Sequence, residues 1–199
     1  MNIIVAMCKN RGIGFKNTIP WYLPTDLERF KDLTTSQSRV LINNVIMGRK
    51  TWDSLPKKVK PLPKRKNIII SSKKNIINNK NVVIHNNIES IKEYNSVNTW
   101  IIGGNAIYKY CLDHNLVNNI FLTVIHDEYK CDVFFPELPE NFKLHIETPI
   151  EIENNIRFNY QQWINVDINN HNKDYPLYPC HNKVVDSSYN QQDYKYQFA

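Results

Sequence analysis

The residues of this 199-residue chain best suited to chemistry gather in a few short stretches. In TIPWYLPTDLERFKDL, residues 18–33, a single acid, Asp26, stands among residues that belong in an interior. Leu23, Leu27 and Phe30 recur at i, i+4 and i+7 and define an apolar stripe, while Glu28, Arg29, Lys31 and Asp32 are expected to face water. Asp26 shares a row with Phe30 and Leu33, so it borders the stripe. Such a carboxylate either complements the positive first turn of a helix opened by Pro24 or meets a ligand that brings its own donors. Spacing alone leaves both open.

Three strand ends carry a second kind of chemistry. VIMGRKTW passes from strand to helix at Gly48 and brings Arg49, Lys50 and Thr51 to the turn; WIIGGNAIY does the same through Gly103 and Gly104; IIISSKK ends on Ser71, Ser72 and Lys73. Unpaired amides and a helix dipole at such turns bind phosphate, and ligands of open α/β sheets collect at the carboxyl ends of strands. There is no GxGxxG, and cations stand where an acid would hold a ribose 2′-hydroxyl. Arg49, Lys50 and Lys73 suit a 2′-phosphate, which favours NADP(H) over NAD(H). The chain has only five glycines, Gly12, Gly14, Gly48, Gly103 and Gly104, against 28 Asn assigned to loops and turns, so each surviving glycine marks backbone that resists a side chain.

The elements that must position these residues alternate between strand and helix. Short, mostly continuous β-branched runs at 2–8, 45–48, 66–72, 81–85, 99–104 and 119–126 read as strands covered on both faces, with helices over 24–33, 49–55, 88–94 and 105–113 between them. The stretch FKLHIETPIEIENNIRFNYQQWINV alternates and turns at Asn154-Asn155, a terminal antiparallel hairpin. The expected fold is a single α/β domain over residues 1–166, with a central, mainly parallel eight-stranded sheet, an antiparallel C-terminal hairpin and flanking helices. Residues 167–199 hold five of the eleven Tyr, many Asn and Gln and few aliphatics, which makes them a polar tail or linker.

Composition narrows the function classes. The net charge is +6, and since residues 167–199 carry three Lys and four Asp, residues 1–166 carry +7. Nine cations and no acid lie between Ser54 and Ile88, a segment that attracts anions. A basic nucleic-acid-binding module is the rival of another class, but the aromatic interleaving of a single-strand binder is missing there. Cys8, Cys111, Cys131 and Cys180 stand apart with no CxxC pair, and neither a disulfide framework nor a metal site is expected. Without an 18-residue apolar run, and with MNIIVAMCKN too short and too soon charged for a signal peptide, the chain reads as a soluble cytoplasmic protein with no membrane partner.

Several stretches, in order, resemble the dihydrofolate reductase family: VAM at 5–7, GIGFKNTIPWYLPTDLERFK at 12–31, VIMGRKTWDSL at 45–55, PLPKRKNIIIS at 61–71, IIGGNAIY at 101–108, LTVI at 122–125 and CDVFFP at 131–136. The resemblance covers roughly residues 1–166. The extended SLPKKVKPLPKR segment looks more like eukaryotic-type members, and an aspartate at position 26 is similar to bacterial and protist ones. What it implies is NADPH-dependent reduction of 7,8-dihydrofolate by hydride transfer to C6 and protonation of N5, without a metal. A related pteridine or pyrimidine reductase is the rival within enzymes; Asp26 together with Arg65 speaks for a folate.

By the same resemblance, Asp26 would bind the amidine-like edge of the pterin and promote N5 protonation, Thr123 would orient it, Trp21 would steady a water and the pterin, and Tyr108 would sit near the hydride donor. Val5, Ala6, Met7, Leu27, Phe30, Ser54, Leu55, Leu62 and Ile102 would surround the substrate, and Arg65 would pair with its glutamate α-carboxylate. Ala6, Met7, Gly48, Arg49, Lys50, Thr51, Ser71, Ser72 and Lys73 would take the cofactor together with Gly103, Gly104, Asn105, Ala106, Ile107 and Tyr108. Asn105 and Ala106 stand where a third glycine is frequent. Ile13, Gly14, Asn17 and Thr18 belong to a mobile loop, residues 13–18, expected over the nicotinamide. The domain would work as a monomer, and residues 167–199 would be either a plain extension or the start of a linker to a thymidylate synthase domain.

Overall fold

The computed structural model describes residues 1–36, 38, 40–73 and 79–169; the tail beyond 169, Lys74 and Cys180 lie outside the described residues. Six strands run parallel: β1 (Asn2–Cys8), β3 (Asn43–Gly48), β4 (Arg65–Ile70), β5 (Val82–His85), β6 (Thr99–Ile101) and β7 (Asn119–Ile125). Their order across the sheet is β5-β4-β3-β6-β1-β7, and β11 (Ile156–Asn165) then pairs with β7 antiparallel. The edge position beyond β11 is shared by β9 (Phe142–Glu147) and β10 (Glu151–Glu153), so nine strands fill eight places. Pro149, which has no N–H to give a ladder, lies in the break between them. Asn154 and Asn155, with φ of 52° and 62°, make the tight turn from β10 into β11.

The continuous apolar runs follow from a sheet buried on both faces. Successive residues of one strand point to opposite sides: Ile3 and Val5 of β1 pack with Ile46, Ile68, Ile101 and Leu122 on one face, while Ile4 packs with Val45, Met47, Ile69, Trp100 and Phe121 on the other. Helix α3 (Asn105–Asp113) covers the first face with Ile107, Tyr108, Cys111 and Leu112. The second face is covered by α1 (Pro24–Thr34) through Phe30 and Leu33, and by α2 (Arg49–Ser54) through Trp52. A short α4 (Val166–Asn169) closes the described chain.

Residues 88–94 are helical as expected, in 3₁₀ form, with Ile88, Ile91 and Tyr94 all packed on the sheet at a spacing of three. Two features differ from expectation. Residues 12–18 are not simply a loop: β2 (Gly12–Gly14) pairs with β8 (Val133–Phe134), and Phe15 to Thr18 close a turn with Lys16 and Asn17 at positive φ. Arg29 does not face water alone; its guanidinium lies 4.1 Å from the Tyr160 ring centroid. Among the described residues, no helix is long and apolar enough to cross a membrane.

Candidate active site

β1 lies between β6 and β7, and the chain leaves β1 for one half of the sheet and crosses to the other half after β6. A crevice opens at such a reversal, beyond the carboxyl ends of the strands. Val5 and Ala6 of β1, Ile102, Gly103 and Gly104 after β6, and Thr123 of β7 line it, with Ile4 and Tyr108. Asp26, Leu27 and Phe30 of α1 form one wall, and Ile13 and Ile19 close over it.

Asp26 is half-buried there, and the Thr123 hydroxyl donates to its Oδ1 at 2.6 Å. Burial raises the Asp26 pKa above the ordinary carboxylate value, while the Thr123 hydrogen bond and the Arg29 charge pull it back. Thr123 is itself fixed from both sides, opposite Ala6 in β1 and Tyr160 in β11. The acid therefore sits at a set position on the apolar wall.

The opposite wall is backbone. Gly103, at φ +121°, needs the freedom of glycine, and a Cβ there would also stand 3.3 Å from the Tyr108 hydroxyl. The Gly103–Gly104 peptide is cis, and the Gly48 N–H donates to the Gly103 carbonyl at 2.7 Å, which joins the turn to the end of β3. The Tyr108 hydroxyl donates to the Ile4 carbonyl at 3.1 Å, and burial pushes its pKa up, so the phenol is neutral. Gly104 begins α3 with no side-chain cap, which leaves first-turn amides of a nine-residue helix for an anion at the crevice rim. Asn105 ties this helix to β8 through the Phe134 carbonyl, Ala106 is exposed, and Ile107 is buried in the core.

The remaining expected cofactor residues stand after β3 and β4 and in the turn after β2. Thr51 is buried beside Gly103 and Gly104. Arg49 forms an ion pair with Asp53 one turn along, and Lys50 is exposed. The Ser71 hydroxyl accepts from the Lys73 N–H and closes a turn after β4, which leaves Ser72 and Lys73 in solvent. Gly14 is buried in β2; Asn17 and Thr18 lie in the turn beyond it.

Behind Phe30 lies a second group that does not line the crevice itself. Leu55 and Leu62 are buried in the cluster that receives Phe30, and the Ser54 hydroxyl donates to the Thr51 carbonyl. Arg65 is 4% exposed; it donates to the Thr34 hydroxyl at 2.7 Å and to the Pro63 carbonyl at 3.0 Å, with its guanidinium 5.7 Å from the Phe30 ring centroid. Burial lowers its pKa to about 10, so it stays cationic at neutral pH, and among the described residues no carboxylate pairs with it. A buried cation without a partner anion is costly unless a ligand supplies one.

Trp21 packs edge-on to Tyr129 at 5.2 Å among Cys8, Leu23 and Ile125, and Met7 packs into the core; neither lines the crevice. Sequence reasoning missed Ile4 and Ile19. Their signal was available, since Ile4 alternates with Val5 and Ile19 stands between the loop and Pro20. It also missed Glu153, which reaches α1 from β10 and has no local signal at all.

A family model described as dihydrofolate reductase matches residues 1–165. The dihydrofolate reductase of Aedes albopictus is 35% identical over 175 residues, which cover 80% of this chain and 94% of that protein. That of Buchnera aphidicola is 43% identical over 137 residues, 69% and 79% of the two chains. A bifunctional dihydrofolate reductase-thymidylate synthase of Paramecium tetraurelia is 36% identical over 178 residues, 87% of this chain and 36% of that protein. A half-buried acid facing a glycine turn across a sheet crevice thus stands inside one continuous family match, and the chain belongs to the dihydrofolate reductase family of oxidoreductases that serve folate and one-carbon metabolism.

Proposed function

We propose that this chain converts 7,8-dihydrofolate, NADPH and a proton to 5,6,7,8-tetrahydrofolate and NADP⁺, with hydride delivered to C6 and the proton to N5. The observation that carries the reading is Asp26, held by Thr123 at 2.6 Å on the apolar wall of a crevice whose other wall is Gly103 and Gly104. A planar heterocycle with an amidine-like edge offers two parallel donors to a carboxylate, and that contact is strong where water is scarce. Asp26 binds this edge and, with a proton affinity raised by burial, promotes protonation at N5 at neutral pH. Leu27 and Phe30 flank the substrate, and Arg65 takes its distal carboxylate. Trp21, packed on Tyr129 just outside the crevice lining, acts on the pterin through a water that it steadies.

The residues of the opposite wall suit a phosphorylated dinucleotide. The uncapped start of α3 offers amides to a pyrophosphate, the glycine turn leaves room for close approach, and Arg49, Lys50, Thr51, Ser71, Ser72 and Lys73 carry the adenosine phosphates. NADPH when bound supplies the hydride. Tyr108, neutral and tied to the Ile4 carbonyl, lines the nicotinamide end, and Ile13 and Ile19 exclude water from the crevice. The catalytic domain acts as a monomer in the cytoplasm. Cys8, Cys111 and Cys131 are free thiols, as suits a reducing compartment.

The test is dihydrofolate-dependent oxidation of NADPH by the wild type and by Asp26→Asn. Loss of turnover of about 100-fold or more is expected in the variant at pH 7, with partial recovery on acidification because substrate protonated in solution bypasses the missing acid. Equal rates for the two proteins, or a wild type inert toward dihydrofolate, would reject the reading.

A further inference from the structure

Helix α1 carries Asp26 on its first turn, yet it begins at Leu23, which has no side chain able to cap it. The missing acceptor comes from a strand 128 residues away. Glu153, the last residue of β10, accepts from the Thr25 N–H through Oε2 at 3.2 Å and from the Thr25 hydroxyl through Oε1 at 2.9 Å. Its neighbour Asn154 donates to the Tyr22 carbonyl at 3.3 Å, just before the helix starts. A third grip lies one turn along, where Arg29 stacks over Tyr160 of β11. The β10–β11 hairpin therefore clasps the helix start on both sides of Asp26, and of its three grips the one nearest that acid along the chain is Glu153 on Thr25.

We propose that Glu153 is a positioning residue for the reduction: it caps α1 from the hairpin and fixes the backbone of Thr25, and with it the position of the Asp26 carboxylate against Thr123. The inference rests on the function proposed above for Asp26. Thr123 holds one oxygen of that acid from β7, and Phe30 and Leu33 seat the later turns of α1 on the sheet; the first turn, which carries Asp26, is held by Glu153 from the edge strand. A carboxylate at this point also suits the positive end of the helix. Misplacement of a reacting group by a fraction of an ångström is enough to lower the rate steeply.

The test compares Glu153→Ala and Glu153→Gln in the wild-type and Asp26→Asn backgrounds. Glu153→Ala is expected to lower kcat/KM for dihydrofolate about ten-fold while the affinity for NADPH stays unchanged, and Glu153→Gln, which keeps one acceptor oxygen, is expected to recover most of the loss. In the Asp26→Asn background the same Ala substitution should cost almost nothing, because the residue acts through Asp26. Independently of turnover, hydrogen exchange at the Thr25 amide should speed up about ten-fold in Glu153→Ala. Unchanged exchange at Thr25 overturns the proposal, as does a ten-fold kinetic loss that persists in full beside Asp26→Asn. A wild type without dihydrofolate-dependent NADPH oxidation would instead remove the reading of Asp26, and the exchange measurement would still decide whether Glu153 caps the helix.

Discussion

At the scale of single residues, the Asp26 environment sets opposing effects on one carboxyl group. Burial favours its protonated form, and the Thr123 hydroxyl and Arg29 favour its charged form. Thr123→Val removes only the hydroxyl, since the backbone of residue 123 is held by ladders on both sides. A hydrogen bond to a charged group is worth about 1.5–3 kcal/mol, so kcat/KM for dihydrofolate is expected to fall roughly ten- to hundred-fold. The sign of the pH effect follows from which form loses its partner: without the donor the carboxylate is less stable, its pKa rises further, and the alkaline limb of the kcat/KM profile moves to higher pH. A limb that moves to lower pH, or a rate within two-fold of wild type, would show that the 2.6 Å contact does not govern Asp26.

At the scale of elements, the loop above the crevice depends on one close approach. A Cβ on Gly12 would lie 2.3 Å from the Cys131 sulfur and 2.6 Å from its Cβ, closer than packed atoms come, so β2 reaches β8 only because residue 12 has no side chain. Gly12→Ala is expected to destabilise the fold by about 1–3 kcal/mol in urea denaturation. Cys131→Ala should not rescue it, because the obstructing Cβ remains, whereas Cys131→Gly should restore part of the loss. That glycine was legible in the sequence as a position resisting replacement, but the residue it meets, 119 positions away, was not. The same holds elsewhere. The parallel core strands, α1 and the terminal hairpin were readable from runs and periods, since each depends on its own residues. Leu27, Phe30, Gly103 and Gly104 line the crevice, and Trp21 and Met7 lie outside its lining. Asn67, Asn119 and Asn165, which lie in segments read as strands, are buried through partners that the strand pattern does not show: Asn67 holds both the N–H and the carbonyl of Leu62, and Asn165 holds the Val117 carbonyl. A side-chain amide copies a backbone amide, and its partner is set by tertiary contact, which local pattern does not contain.

At the scale of the whole molecule, the question is where the catalytic unit ends. The last strand cannot be shortened: Gln161 to Ile164 pair with β7, and Asn165 donates from its backbone to the Asn118 carbonyl at 2.9 Å and from its side chain to Asn115 Oδ1 at 2.7 Å. The anchoring then thins quickly. Val166 still donates to the Asn141 carbonyl at 2.9 Å, and the Asp167 N–H is held by Asn165 Oδ1 at 3.1 Å, a contact within the same turn. None of these residues lines the crevice, so their contribution to turnover is through the fold alone. We therefore expect a chain of residues 1–169 to keep its melting temperature within about 2 °C and its kcat/KM within about two-fold of the full chain, because a polar segment with few aliphatic residues has little to add to a core. A chain of residues 1–160 removes half of β11 from between β7 and β9 and is expected not to fold. Loss of activity in the 1–169 chain would move the boundary outward and make the polar segment from 170 part of the reductase unit; retained activity leaves that segment free to serve as an extension or as a link to a further domain, the arrangement carried by the bifunctional Paramecium relative.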